Sequence, residues 1–190
     1  MTNAIQGIAM NRSFNFIAAT ILTLAVATAQ AWDPREVDKL AAGGDEAKSV
    51  MLEKDPSMQK FFDTAAGWVI IPTVGKGGIG IGGARGKGLL YEKAKPSAIV
   101  TLTQLTVGFQ WGGQAYSEFI FFQDESALTD FKRGNYELGA QASAVAVTMG
   151  ASADVNYSNG VAVFTQAKGG LMYEATVGGQ KFKVEMLNAE

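Results

Sequence analysis

The sequence predicts an α+β domain in which short N-terminal helices pack on a twisted antiparallel β-sheet or partial barrel, with one further short helix between strands. Three observations carry that expectation. Capped amphipathic segments occupy residues 33–66, the hydrophobic period changes from helical to alternating after Gly67, and one capped segment interrupts the strands at residues 124–134. With 190 residues, 47% of them hydrophobic and 18% charged, the chain is long enough to bury one sizeable core.

"DPREVDKLAAGG" opens with Asp33 at the N-cap and Pro34 in the first turn, and its Gly43 and Gly44 predict a stop. "DEAKSVMLEKD" and "PSMQKFFDTAAG" follow as second and third short helices, turning Ala47, Val50, Met51, Met58, Phe61 and Phe62 toward a sheet. Then "WVIIPTV", "SAIVTLTQLTVGFQW" and "AYSEFIFF" read as strands, the last two joined by a tight turn at Gly112 and Gly113. Ile99, Thr101, Thr103 and Leu105 share one face of the second run, with Val107, Phe109 and Trp111 continuing it. The consecutive Phe119, Ile120, Phe121 and Phe122 predict a central strand covered on both sides. "DESALTDFKRG" is a helix capped by Asp124 and ended by Gly134, with Leu128 and Phe131 inward. The glycine-punctuated remainder predicts an antiparallel meander, with a hairpin turn at Gly178–Gly179 and Lys181 and Lys183 on an edge strand.

Composition narrows the chemistry. The chain has no cysteine and no histidine, so thiolate nucleophiles, Cys-ligated metals, imidazole bases and the commonest metal ligand are excluded. No metal, cofactor or catalytic residue is expected. An adjacent carboxylate pair such as Asp124 and Glu125 is better read as a helix cap and a dipole partner than as an acid and a base. The 16 basic and 18 acidic residues leave a net charge of -2, which gives nucleic acid no global field to follow.

Before Asp33, Arg12 precedes an apolar stretch from Phe14 to Val26 and small residues at Ala29 and Ala31. That is a secretory signal pattern over residues 1–31, with Met10 a candidate initiator and a retained membrane anchor the competing reading. It places the domain at 32–190 in an exported protein, periplasmic or secreted, with membrane association left open. Removing residues 1–31 takes away Arg12 alone, leaving 15 bases against 18 acids.

The stretch "VGKGGIGIGGARGKG" holds eight glycines and three bases in fifteen positions. GxGxxG occurs in it twice, but a dinucleotide loop needs those glycines to open a helix, and a Walker A loop needs Ser or Thr where Gly88 stands. Read with period two, Ile79 and Ile81 take one side and Gly78, Gly80 and Gly82 the other, a bare strand face that admits another backbone, a ring such as Trp68 or Trp111, or a ligand. Lys76, Arg85, Lys87, Lys93 and Lys95 lie within twenty residues and only Glu92 opposes them. At roughly 1 kcal/mol per base near an anionic surface they supply about 4 kcal/mol, a millimolar hold. Insertion of Leu89 and Leu90 at about 1.5 to 3 kcal/mol each would make it micromolar.

The ordered motifs "AAGWVIIPTVGKGGIGIGGARGKGLL", "PSAI", "GFQWGGQAYSEFIFF", "FKRG", "LGAQASAVAV" and "VFTQAKGGLMYEATVGG" resemble the SYLF domain family, from about Asp45 to Glu190. The resemblance implies a non-catalytic binding module for phosphoinositides and related anionic lipids, with some members also binding actin filaments. It places the family's Gly-rich basic region on Lys76 through Lys87. The family's "SKGL" element falls on Ala167, Lys168, Gly169 and Gly170, where Ala167 replaces Ser and an extra Gly precedes Leu171. Actin and endocytosis are not expected to carry over to an exported chain. The expected lipid-binding residues are therefore Lys76, Arg85, Lys87, Leu89, Leu90, Lys93, Lys95 and Lys168, and the expected partner is an anionic lipid or membrane surface. A structural or protein-interaction role in the envelope is the alternative.

Overall fold

A computed structural model describes residues 33–108, 114–134, 136–139, 144–169 and 177–187, except for the side chains of 78–81 and 106–108. The expected signal segment, the Gly112–Gly113 turn and most of "LMYEATVGG" lie outside them. The α+β expectation is borne out: the described residues form three α-helices and a seven-stranded sheet in the order β4-β7-β2-β1-β3-β6-β5.

Helix α1 spans Pro34–Lys54, capped by the Asp33 carboxylate on the Arg35 N–H. It runs straight through Gly43 and Gly44, where the sequence predicts an end, because both glycines face the sheet at close range. A Cβ on Gly43 would sit 3.2 Å from Pro72, and one on Gly44 3.2 Å from the Tyr91 hydroxyl. A 3₁₀ turn, Pro56–Met58, leads into α2, Gln59–Thr64. Six residues are too few for a helix to persist alone. Phe61 and Phe62 hold it down, packing edge-on against Phe164 at 4.8 Å and Phe121 at 4.9 Å.

Strand β1 runs Gly67–Glu92, 26 residues, several times the usual strand length. Its halves have different partners. Gly67–Lys76 pairs with β3 (Gln114–Phe122), and Gly80–Glu92 pairs with β2 (Lys95–Gly108). The second half folds back over the first in reverse order. A Cβ on Gly86 would stand 2.7 Å from Ile71 Cγ2 and 2.9 Å from the Thr73 carbonyl, and one on Gly88 would overlap the Ile70 carbonyl oxygen and lie 2.7 Å from Ile71 Cα. The expected bare face is thus extended at its even positions to Gly86 and Gly88, and what it admits there is backbone of the same strand. Trp68 lies elsewhere, stacked on Tyr91 at 6.0 Å.

Helix α3, Glu125–Lys132, follows β3 as expected, with Asp124 accepting from the Ala127 N–H and Leu128 and Phe131 fully buried. The remaining strands are β4 (Tyr136–Glu137), β5 (Val145–Ala146), β6 (Val161–Ala167) and β7 (Lys181–Met186). They are not a meander. β6 joins β3 on one side of the sheet, β7 joins β2 on the other, and β5 runs parallel to β6. β7 is accordingly flanked by β2 and, at Lys181 and Phe182, by the short β4.

Two cores result. Beneath α1 and α2, Met51, Met58, Phe61 and Phe62 meet Trp68, Ile70, Leu89, Tyr91, Ile99, Phe119 and Phe121. On the opposite face, Leu128 and Phe131 of α3 meet Ile120, Phe122, Leu90, Val100, Leu102 and Phe182. β3 contributes alternate side chains to both, as its sequence predicts.

The self-crossing gives a sharp expectation. Gly88→Ala should destabilise the domain by at least about 3 kcal/mol in urea unfolding, since the overlap is with backbone that cannot rotate away. Gly75→Ala and Gly77→Ala, whose added methyls meet nothing within 4 Å, should change stability by less than about 1 kcal/mol. A tolerated Gly88→Ala would refute the crossing.

Candidate functional site

The register of the sheet assembles a basic face that no single segment displays. On the side of β1 and β2 that faces α1 farther along, the helix covers Leu89, Tyr91 and Ile99 and leaves the next residues open. There Lys87 pairs across to Thr101 and Thr101 to Lys183, while Arg85 pairs to Thr103 and Thr103 to Lys181. Directly opposed residues point to the same face, so four bases flank two threonines. At about 4.8 Å between strands and about 6.7 Å between alternate residues, they mark a rectangle of roughly 7 by 10 Å. The next row pairs Gly83 with Leu105, whose side chain projects from the sheet at 87% exposure. Thr103, Leu105, Gly179 and Lys181 rim a shallow pocket of about 190 Å³ beside it.

Three of the bases rest on acids. Lys87 meets Glu36 of α1 at 2.6 Å, Lys183 meets Glu185 at 2.8 Å, and Lys181 meets Glu137 at 3.6 Å. All of these lysines are exposed, and such pairs contribute at most about 1 kcal/mol each, so an incoming phosphate can displace them. Arg85 has no ion-pair partner among the described residues.

The residues expected from sequence divide among several places. Arg85 and Lys87 share the basic face. Leu89 and Leu90 do not belong to any lipid-facing surface: both are 0% exposed, one in each core, and reaching a bilayer would require unfolding. Leu105, on the neighbouring strand, is the exposed apolar side chain in their stead. Lys93 and Lys95 lie at the β1–β2 hairpin, where Lys93 and Ala94 take φ of 50° and 61°, about 20 Å of strand beyond Lys87. Lys76 stands opposite Gln114 in the first half of β1, and partial burial lowers its pKa. Lys168 follows β6 and donates to Thr73 Oγ1 at 3.0 Å. Lys181, Lys183, Thr101, Thr103 and Leu105 are the residues that sequence reasoning missed. Their alternation is legible, but their alignment with Arg85 and Lys87 depends on strand pairing across eighty residues.

Behind the face the interior holds two acids. Burial would raise Asp55, but hydrogen bonds from the side chains and backbone N–H groups of Ser57 and Ser152 hold it at about 2. It ties the end of α1 to the segment before β6. Glu118, wholly buried on β3, is pushed up to about 8 by burial, although Gln180 donates to it at 2.9 Å and Tyr116 also favours its charged form. Both acids are engaged in hydrogen bonds inside the protein. Asp124 is occupied as the α3 cap.

Residues 103–186 match the family described as Ysc84, Las17-binding protein actin regulator. This match agrees with the resemblance to the SYLF family. The match contains β3, β6, β7 and all of β2 from Thr103 onward, and so includes Leu105, Lys168, Lys181 and Lys183. The Gly-rich part of β1, with Arg85 and Lys87, lies before it. No curated protein matches the chain at the sequence level.

Glu118 makes stability depend on pH in a definite direction. Its folded pKa lies above the usual 4.5, so its contribution is full below about 4.5 and is lost as pH rises through about 8. Glu118→Gln should match the wild-type stability near pH 4.5 and exceed it above pH 8, by on the order of a few kcal/mol. Parallel pH profiles for the two proteins would contradict the neutral form of this buried acid.

Proposed function

We propose that the protein is a non-catalytic binding module of the cell envelope that associates with anionic lipid surfaces through the open face of β1, β2 and β7. The observation that carries this reading is the juxtaposition of Arg85, Lys87, Lys181 and Lys183 with the projecting Leu105. A bilayer offers phosphates to the bases and an apolar layer to the leucine. The expected leader at residues 1–31 supports an exported module, and for that reason the actin regulation in the family's description is not taken over.

Magnitudes set the mode of binding. Four bases at about 1 kcal/mol each, reduced by the surface pairs they leave, and about 2 kcal/mol for Leu105 total roughly 4 to 5 kcal/mol. That is a millimolar, salt-sensitive hold for one copy. A protein partner is the second reading. It is favoured by the shortness of β4, which pairs with β7 at Lys181 and Phe182 and ends before Lys183, Val184 and Glu185.

Sedimentation with phosphatidylglycerol vesicles over a salt series tests the lipid reading. Partitioning should fall as salt rises, drop about tenfold or more when Arg85 and Lys181 are both changed to Ser, and drop about tenfold for Leu105→Ser. Partitioning indifferent to both variants would reject this face and favour the partner at β7.

A further inference from the structure

The outer face of α1 carries charge of the opposite sign to the open end of the sheet. Exposed on it are Asp38, Ala42, Asp45, Glu46, Ser49 and Glu53. At 3.6 residues per turn these six fall within one arc of about 100°, with Lys39 on its flank. None of the four acids has an ion-pair partner among the described residues, and on the basic face the same is true of Arg85.

The two surfaces also match in shape. Ala42, Asp45, Glu46 and Ser49 stand at i, i+3, i+4 and i+7, the four corners of a hole that takes one side chain of a facing element. Its ends are small residues and its sides are acids. Leu105, 87% exposed on β2, is a knob of the kind such a hole receives. The next row of the sheet, Arg85 and Lys181 about Thr103, lies about 6.7 Å along the strands, within reach of Asp45 and Glu46 once Leu105 is seated. From Leu105 to Thr101 the open face runs about 13 Å, a little over two turns of helix. Knob and hole cannot meet within one chain, because α1 is held on Leu89, Tyr91 and Ile99 by its buried Ala47 and Met51.

We propose that the partner of this helix face is a second copy of the chain, and that two copies clasp reciprocally. Leu105 of each enters the hole on α1 of the other, with Asp45 and Glu46 against Arg85 and Lys181. The chain carries both halves of the contact, which selects a second copy over a foreign acidic helix. α1 and the open face lie on the same side of the sheet, and a helix about 10 Å across forms a step beside it. Two such steps fit about a two-fold axis, so each contact is made twice and the assembly closes as a dimer. Its ion pairs are exposed, which makes the dimer weak and salt-sensitive. The contact does not rest on the lipid reading of the basic face, but it competes with any other anion for Arg85 and Lys181.

Sedimentation equilibrium of the full chain tests the clasp with two charge-reversal variants, each checked for unchanged thermal unfolding. The wild type should show a monomer–dimer equilibrium whose dissociation constant rises about tenfold or more between about 50 and 500 mM salt. Asp45→Lys with Glu46→Lys, and separately Arg85→Glu with Lys181→Glu, should each weaken the dimer at least tenfold. An equimolar mixture of the two variants should regain it, since both contacts then join opposite charges again. A wild type that stays monomeric at low salt, a dimer indifferent to either variant, a mixture that fails to recover, or growth past the dimer without a plateau overturns the clasp. Phosphatidylglycerol vesicles separate this from the lipid reading. The helix variant keeps its basic face and should partition at least as well as the wild type, and the face variant should not. Recovery in the mixture with no vesicle binding by any of the proteins would sink the lipid reading and leave the dimer standing.

Discussion

The close passage of β1 over itself is the constraint on which the other features depend. Gly86 and Gly88 present no side chain to the backbone of Ile70–Thr73, so one 26-residue strand turns through the fold and serves two neighbours, β3 with its first half and β2 with its second. A Cβ at Gly88 would push those halves apart and separate the two pairings. The crossing also sets where α1 lies. Gly43 and Gly44 let the helix settle against Pro72 and Tyr91, one residue from each half of the strand, and the helix reaches far enough to cover Leu89 but not Arg85. The uncovered end of the β1–β2–β7 ribbon is therefore a product of backbone packing.

That end has the physical character of a weak contact surface. Its bases stand on strands rather than on loops, with alternate positions pinned by Leu90, Val100, Leu102 and Phe182 beneath. The spacing of the charges is thus held by the core. The acids beside Lys87, Lys181 and Lys183 lower the resting field and, among the described residues, leave Arg85 as the base without an ion pair there. A surface of this kind gains by presenting several copies at once, since each contributes only a few kcal/mol.

Much of this was legible in the sequence where local rules decide. The caps at Asp33 and Asp124, the inward Leu128 and Phe131, the two-sided Phe119–Phe122 strand and the close backbone approach at the glycines all follow from spacing and residue type. The misreadings arise where a tertiary contact changes the meaning of a residue. Gly43 and Gly44 look like a helix stop until Pro72 and Tyr91 are known to need the space. Leu89 and Leu90 look available beside a run of bases until the alternation is seen to bury one in each core. Lys181 and Lys183 read as edge-strand residues, and what the sequence does not show is that the pairing of β7 with β2 sets them in line with Arg85 and Lys87.

The most direct measurement of the central claim is the membrane depth of the β1–β2–β7 face. A nitroxide placed at residue 105 in the full chain, compared with one at Thr129 on the exposed side of α3, would be read with aqueous and lipid-soluble relaxation agents in the presence of phosphatidylglycerol vesicles. Burial of the label at 105 into the interface, with 129 remaining in water, is the expected result. A label at 105 that stays fully accessible to the aqueous agent while the protein is vesicle-bound would show that another surface makes the contact.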